Sequence, residues 1–335
     1  MTTGAQTTGA MTTGTHRVCA DQLRSDPTQP GPGRATPAVA LTIAGSDSGG
    51  GAGIAADLRT FAMLGVFGTL AVTAVTAQDT TGVHAVLAVE PALVDSQIDA
   101  VLGDFDVRAA KTGMLATLAT VDAIAARAAA GHLPQLVVDP VMVASSGARL
   151  LAGDAVTAYR RLLGSACVVT PNLPEAAALV GRAVTNRAQM CDAARELHDL
   201  GARYVVVKGG HLGGREALDV VFDGEVLVEL TAPMLPTANN HGTGCTLSAA
   251  IAAGLALGRA PLDAIGEAKR YVSAAIAAAS HWQLGAGHGP LDHCLGRPGW
   301  SSRSRERGDT GQTGQTGQTG HDDAARQAGQ GGACR

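Results

Sequence analysis

From about residue 38 to residue 297, short runs of Val, Leu, Ile and Ala alternate with longer stretches in which apolar residues recur every three or four positions. Continuous apolar runs of five or six residues suit strands covered on both faces, and the three-to-four spacing suits helices that cover them. The pattern predicts strands at 39–44, 69–75, 107–111, 136–139, 167–170 and 204–208, with a hairpin turning at Asp223-Gly224. Helices are expected at 53–64, 91–103, 118–130, 154–163, 174–180, 188–200, 244–257 and 261–279. Leu247, Ile251 and Leu255 recur at four-residue steps, Gly258 follows as a stop signal, and Pro261 opens the last helix where its missing N–H costs nothing. The alternation implies an α/β fold with helices on both faces of a mostly parallel sheet.

The ends break this pattern. Residues 1–37 carry Thr-Thr-Gly repeats and Pro/Gly-rich stretches, and residues 298–335 carry tandem Gly-Gln-Thr. Neither has enough apolar residues to offset ordering entropy, so a disordered arm and tail are expected around one domain at 38–297. Aromatic residues are only 3% of the 335, so the core must be packed from aliphatic side chains and Ala. A net charge of -4 without long runs gives no footprint for nucleic acid or an anionic membrane surface. No signal-peptide pattern or membrane-length apolar run stands out, and six scattered cysteines form no Cys-x-x-Cys pair. A cytoplasmic protein with a small-molecule partner is expected.

The sharpest chemical signal is His241-Gly242-Thr243-Gly244-Cys245, immediately before an apolar helix. Two glycines allow a tight turn that aims several N–H groups at one point on the positive end of the helix dipole, an anion hole for a phosphoryl group in transfer. The plainer reading is a Gly-rich loop with Thr243 as N-cap. Lys208 ends a buried strand run, where open α/β sheets bind ligands, and suits a phosphate contact, or else is a strand-end lysine facing solvent. It is one of only three lysines, with Lys111 and Lys269, in a chain that otherwise uses Arg.

Asp139 ends another strand and suits Mg²⁺ held through water or the orienting of a nucleotide, or else caps the turn at Pro140. Asn172 and Glu175 follow a third strand, as nucleotide and water-mediated metal contacts or as helix-end residues. Gln78, beyond the second strand, carries an amide able to read a heterocycle's edge. Cys245 at a helix N-terminus is expected to have a lowered pKa and to take the proton of an attacking hydroxyl, or else to be a small buried hydrophobe. Gly51-x-Gly53-x-x-Ala56 nearly satisfies a dinucleotide fingerprint, but no acidic residue ends the next strand.

Segments 41–58, Thr76-Ala77-Gln78, 111–115, 137–142, 170–175, Lys208 to His211 and His241 to Cys245, in this order, resemble hydroxymethylpyrimidine/phosphomethylpyrimidine kinase of thiamine biosynthesis. The resemblance covers about residues 38–291 and implies a ribokinase-like three-layer α/β/α fold. It implies ATP and Mg²⁺ as cofactors, two successive phosphorylations of 4-amino-5-hydroxymethyl-2-methylpyrimidine, and a homodimer. A pyrimidine pocket of Gly45, Asp57, Gln78, Met114 and Val141 and a catalytic loop of Gly242, Thr243, Gly244 and Cys245, with Lys208 on the phosphates, follow from the same resemblance. Ala55 stands where that family usually has Gln, and the Ser46-Asp47-Ser48 stretch departs from its commoner Asp-Pro-Ser form. A pyridoxine or pyridoxal kinase on the same fold, a ligand sensor without catalysis and a dinucleotide-dependent dehydrogenase are the competing readings.

Overall fold

The computed structural model describes residues 36–142, 155–210 and 212–296. Most of the expected arm, the whole expected tail and His211 lie outside the described residues. Eight strands form one sheet in the order β10-β9-β8-β7-β6-β5-β1-β2. The parallel part is β1 (Val39–Ala44), β2 (Phe67–Val72), β5 (Val107–Thr112), β6 (Val137–Val138), β7 (Val168–Val169) and β8 (Tyr204–Lys208). The expected hairpin is present as β9 (Glu216–Phe222) and β10 (Leu227–Pro233), an antiparallel pair on the edge beside β8.

Strand side chains alternate between two cores, which is why the strand segments read as unbroken apolar runs. Ile43, Ala110, Val138, Val169 and Val205 face one core. There they meet α2 (Pro91–Asp104), α3 (Leu118–Ala129), α4 (Ala155–Leu163), α5 (Leu173–Val180) and α6 (Arg187–Asp199). Ala40, Ala109, Val137, Val168 and Val206 face the other, covered by α1 (Gly53–Met63), α7 (Thr243–Ala256) and α8 (Pro261–Ala279). The three layers are those of the expected α/β/α architecture.

Every residue of α7 from Thr246 to Ala256 is buried, so this helix has no solvent face and its N-terminus is fixed against the sheet. Its small residues permit close approach; a Cβ on Gly254 would stand 2.8 Å from Ala264 Cβ of α8.

One strand prediction is corrected. The segment 69–75 is not one strand, because at Thr73 the chain leaves the sheet, its N–H on Ala44 O and its hydroxyl on Met114 O. It continues as β3 (Ala74–Asp79), which pairs antiparallel with β4 (Gly82–Ala88) in a separate two-stranded sheet. The sequence missed β4 because most of it is solvent-exposed and no buried face imposes a period of two. Gln78 therefore belongs to a projecting hairpin instead of a loop after the core sheet.

Candidate active site

The parallel strands end on one edge of the sheet, and a cavity of about 730 Å³ opens there. Gly45 follows β1, Gly113 and Met114 follow β5, Asp139 and Val141 follow β6, and Asn172 and Glu175 follow β7. Lys208 ends β8, and the hairpin brings Gln78 while α7 brings Gly242 to Cys245. All of these line the same cavity. This is the carboxyl-end crevice where open α/β sheets place ligands.

Gly242 is the N-cap of α7, with φ +85, and Thr243 is the first helical residue. The N-cap alternative for Thr243 is thus set aside; its hydroxyl donates instead to Asn240 O at 2.7 Å. A Cβ on Gly242 would stand 1.9 Å from Gly51 O, so both the left-handed backbone and the close approach of two loops require glycine. In the first α7 turn Thr243 N–H donates to Asn240 O at 3.3 Å, and the N–H groups of Gly244 and Cys245, at the cavity wall with no side-chain cap, are left for an anion.

Lys208 Nζ donates to Asp139 Oδ1 at 2.9 Å. Asp139 also receives Thr170 and Ser248 hydroxyls at 3.3 and 3.4 Å, so its side chain holds the lysine and does not cap the Pro140 turn. Burial alone would lower the Lys208 pKa; the neighbouring Asp139 and Glu175 reverse this and raise it, keeping a full positive charge at the cavity wall. Asn172 and Glu175 form a reciprocal capping box at the start of α5, at 2.8 and 2.9 Å. Burial, with the Asp139 charge adding to it, pushes the Glu175 carboxyl up to about 7 against the opposing pull of Lys208. Among the described residues no group of three His, Cys, Asp or Glu side chains is placed to cage a metal ion.

Two expectations are corrected. Asp57 does not line the cavity; it is fully buried, bonded to Lys111 Nζ at 2.8 and 2.9 Å and to the Thr42 hydroxyl at 2.6 Å. Burial works against charge on both partners and raises the Asp57 pKa, but Asp57 together with other nearby negative charge raises that of Lys111. With both Asp57 oxygens on the ammonium, the two are held as an ion pair beneath the cavity floor. Cys245 does line the cavity, yet its thiol is pushed up to about 11. Desolvation dominates, and it outweighs Lys111 and the Gly53 N–H, which favour the thiolate. A helix N-terminus lowers a cysteine pKa only where burial does not win.

Gly45 packs against Met114; a Cβ there would meet Met114 Cε at 2.3 Å. The Gln78 backbone is clamped by Ser48, whose hydroxyl donates to Gln78 O at 2.6 Å and accepts from Gln78 N at 2.8 Å. Sequence reasoning left Ser48, Asp47 and His241 without roles, although all three stand inside quoted motifs. It also left Lys269 aside, which bonds Asp219 at 2.7 Å while Asp219 accepts from Gly209 N just beyond Lys208. The scarcity of lysine was the available signal, since all three lysines are in ion pairs with side chains 14% exposed or less.

A three-layer sheet carrying an anion-ready helix N-terminus and a charged lysine in one crevice defines the class: a ribokinase-like small-molecule kinase. A protein-family model described as Phosphomethylpyrimidine kinase matches residues 47–292. The chain belongs to that family. It is 54% identical over 258 residues to the hydroxymethylpyrimidine/phosphomethylpyrimidine kinase of Rhizobium meliloti, covering 76% of this chain and 97% of the relative. Among solved structures it resembles a phosphomethylpyrimidine kinase from Clostridium difficile, with a TM-score of 0.63, 39% identity and coverage of 71% and 99%. An ADP complex of Bacillus subtilis pyridoxal kinase is similar with a TM-score of 0.71, 38% identity and coverage of 78% and 98%.

Proposed function

We propose that this chain transfers the γ-phosphoryl group of ATP to the hydroxymethyl oxygen of 4-amino-5-hydroxymethyl-2-methylpyrimidine, and then phosphorylates the monophosphate to the diphosphate, for thiamine biosynthesis. The observation that carries the reading is the single crevice uniting Gln78, Lys208 and the Gly242 to Cys245 loop. The ring lies against Gly45, Met114 and Val141, with the Gln78 amide on its polar edge. ATP extends along the sheet edge toward β10 and α8, where Leu235, Val272 and Ile276 give an apolar wall.

Phosphoryl transfer asks the protein mainly for position and charge, because the transition state is loose and its charge is spread over phosphate oxygens. Lys208 neutralises those oxygens, and the α7 amides with Thr243 hold them in line. Asn172 faces the nucleotide phosphates from the α5 N-terminus. The donor chemistry fits Mg²⁺: Asp139 and Glu175 are two oxygen-bearing carboxylates on the wall of the same cavity, and Mg²⁺ takes oxygen ligands. With two carboxylates and no cage, they would hold the ion through water and phosphate oxygens. Bound there, Mg²⁺ supplies charge neutralisation between the phosphates.

Asp57 supports the pocket floor through Lys111. Cys245, protonated at rest, lies beside the hydroxymethyl group and acts by packing and weak hydrogen bonding. The proton can remain on the hydroxyl until the new P–O bond is largely formed and then pass to an oxygen of the transferred phosphoryl group and on to water.

The resemblance also implies a homodimer, and the exposed apolar residues Val75 and Leu87 of the hairpin support a self-contact there. Four cysteines without partners among the described residues support a reducing cytoplasm.

The likeness to a pyridoxal kinase supplies the second reading. A coupled ADP assay comparing kcat/KM for the pyrimidine alcohol, pyridoxine and pyridoxal tests both, since specificity is the ratio of those constants. The pyrimidine is expected to lead; equal or greater values for either vitamin B6 alcohol would replace the first reading with the second.

A further inference from the structure

His241 opens the anion loop, and its imidazole is turned toward Asp47 and Gln78. Its Nε2 lies 2.8 Å from Asp47 Oδ2 and 3.4 Å from the terminal Nε2 of Gln78. Asp47 is nearly buried and already accepts from the N–H groups of Gly49, Gly51 and Ala52 at 2.8, 3.1 and 2.8 Å. Burial pushes its pKa up, but His241 and the Ala52 and Gly49 amides outweigh that and leave it lowered, so Asp47 is an anion near neutral pH. An acceptor-only carboxylate requires a hydrogen on the nitrogen facing it. His241 Nε2 therefore carries a proton, whether the ring is neutral or cationic.

That proton fixes the neighbour. That single hydrogen is aimed at Asp47, so Gln78 Oε1 turned toward His241 accepts from it only as the longer arm of a three-centre bond. An NH₂ group turned there would set two donors face to face; the pair therefore favours Oε1 toward His241 and NH₂ away. The imidazole packs directly against Gly51, where a Cβ would stand 2.5 Å from its Cδ2, and the His241 backbone N–H is held by Gly289 O at 3.0 Å.

We propose that the buried Asp47–His241 pair is a specificity device: it sets the direction of the Gln78 amide, and so selects a ring edge that offers an amino donor beside a ring-nitrogen acceptor. The inference rests on the pyrimidine kinase reading and deepens it. Oε1 accepts from the exocyclic amino group while sharing its second lone pair with His241, and the NH₂ group donates to the adjacent ring nitrogen. His241 and Asp47 are positioning residues, since neither needs to touch the reacting atoms.

The test is a substrate-by-variant comparison: kcat/KM for the 4-amino pyrimidine alcohol and for its des-amino analogue, with calorimetric binding of both alcohols measured without ATP. The unmodified chain should favour the amino form by about 100-fold, because a site built around paired polar groups rejects a ligand that leaves them unpaired. In His241→Phe, which removes the donor, the preference should shrink to about fivefold or less. His241→Gln places an amide N–H near the Nε2 position and should keep the preference within about threefold of the unmodified chain. Gly51→Ala displaces the imidazole without altering His241 or Gln78 and should lose the preference as His241→Phe does, which keeps the test open if the phenylalanine variant does not fold.

Equal loss of affinity for both alcohols in the folded variants would mean that His241 only supports the loops, and would overturn the inference. Turnover of pyrimidines with no preference for the amino form in the unmodified chain would overturn it alone. No turnover of any pyrimidine would remove the kinase reading and this inference together.

Discussion

Cys245 shows how one residue's surroundings reverse its expected chemistry. Sequence context puts it at a helix N-terminus beside glycines, where a thiolate is favoured, and the three-dimensional surroundings add a desolvation that no local motif reveals. A thiol raised to about 11 is almost wholly protonated at neutral pH and is a poor resting base. Cys245→Ser is therefore expected to keep kcat within about tenfold, less than the ~10²–10⁴ that a true general base contributes. Alkylation of Cys245 by iodoacetamide, followed by mass spectrometry, should still be accelerating above pH 9. A kcat loss near 10³ together with an alkylation midpoint below pH 8 would restore the thiolate base. Asp57 teaches the same lesson from the other side. Its place in the glycine-rich segment suggested a ring contact, but only the fold shows that Lys111, 54 positions away, takes both of its oxygens.

At the scale of elements, the junction of α7, α8 and the segment after α8 depends on a neutral histidine. His293 is buried; its Nε2 lies 3.0 Å from the Thr246 hydroxyl of α7, and its carbonyl accepts from Tyr271 of α8 at 2.8 Å. Burial, reinforced by the Arg59 charge, lowers its pKa to about 4 from 6.5. Below pH 6.5 the unfolded chain binds a proton that the folded chain refuses, so this contribution to stability is lost as pH falls from 6.5 toward 4. The full span corresponds to about 3 kcal/mol. Denaturant unfolding of the unmodified chain and of His293→Gln between pH 4 and 7.5 checks this. The variant should lack that part of the slope, and parallel curves would contradict it. Helices such as 261–279 were legible because an N-terminal Pro and an unbroken apolar period mark them, and β8 was legible as a buried run. Strand β4 was not, since it is exposed along most of its length and has no buried face to impose a pattern, while β3 alternates buried Ala74 and Thr76 with exposed neighbours.

For the whole molecule, the order of strand-end residues already implied one functional edge, because parallel strands joined by helices must all end on the same side. What the sequence left open was which of those residues face the cavity, since that depends on contacts between segments as distant as Asp47 and His241. The hairpin face of Val75 and Leu87 belongs to this scale too, as residues 53% and 72% exposed are apolar surface that a second copy would cover. Sedimentation should show a dimer for the unmodified chain and a monomer for Leu87→Lys, and a monomer in both would remove the self-contact. The central claim is that one crevice joins an aminopyrimidine ring to the phosphate of ATP. Phosphorus NMR of the complete reaction tests it most directly. The account predicts ADP appearing together with a phosphoester on the hydroxymethyl oxygen and then a diphosphate, with both products lost in Lys208→Met; ATP turned over to inorganic phosphate, or products unaffected by Lys208→Met, would contradict it.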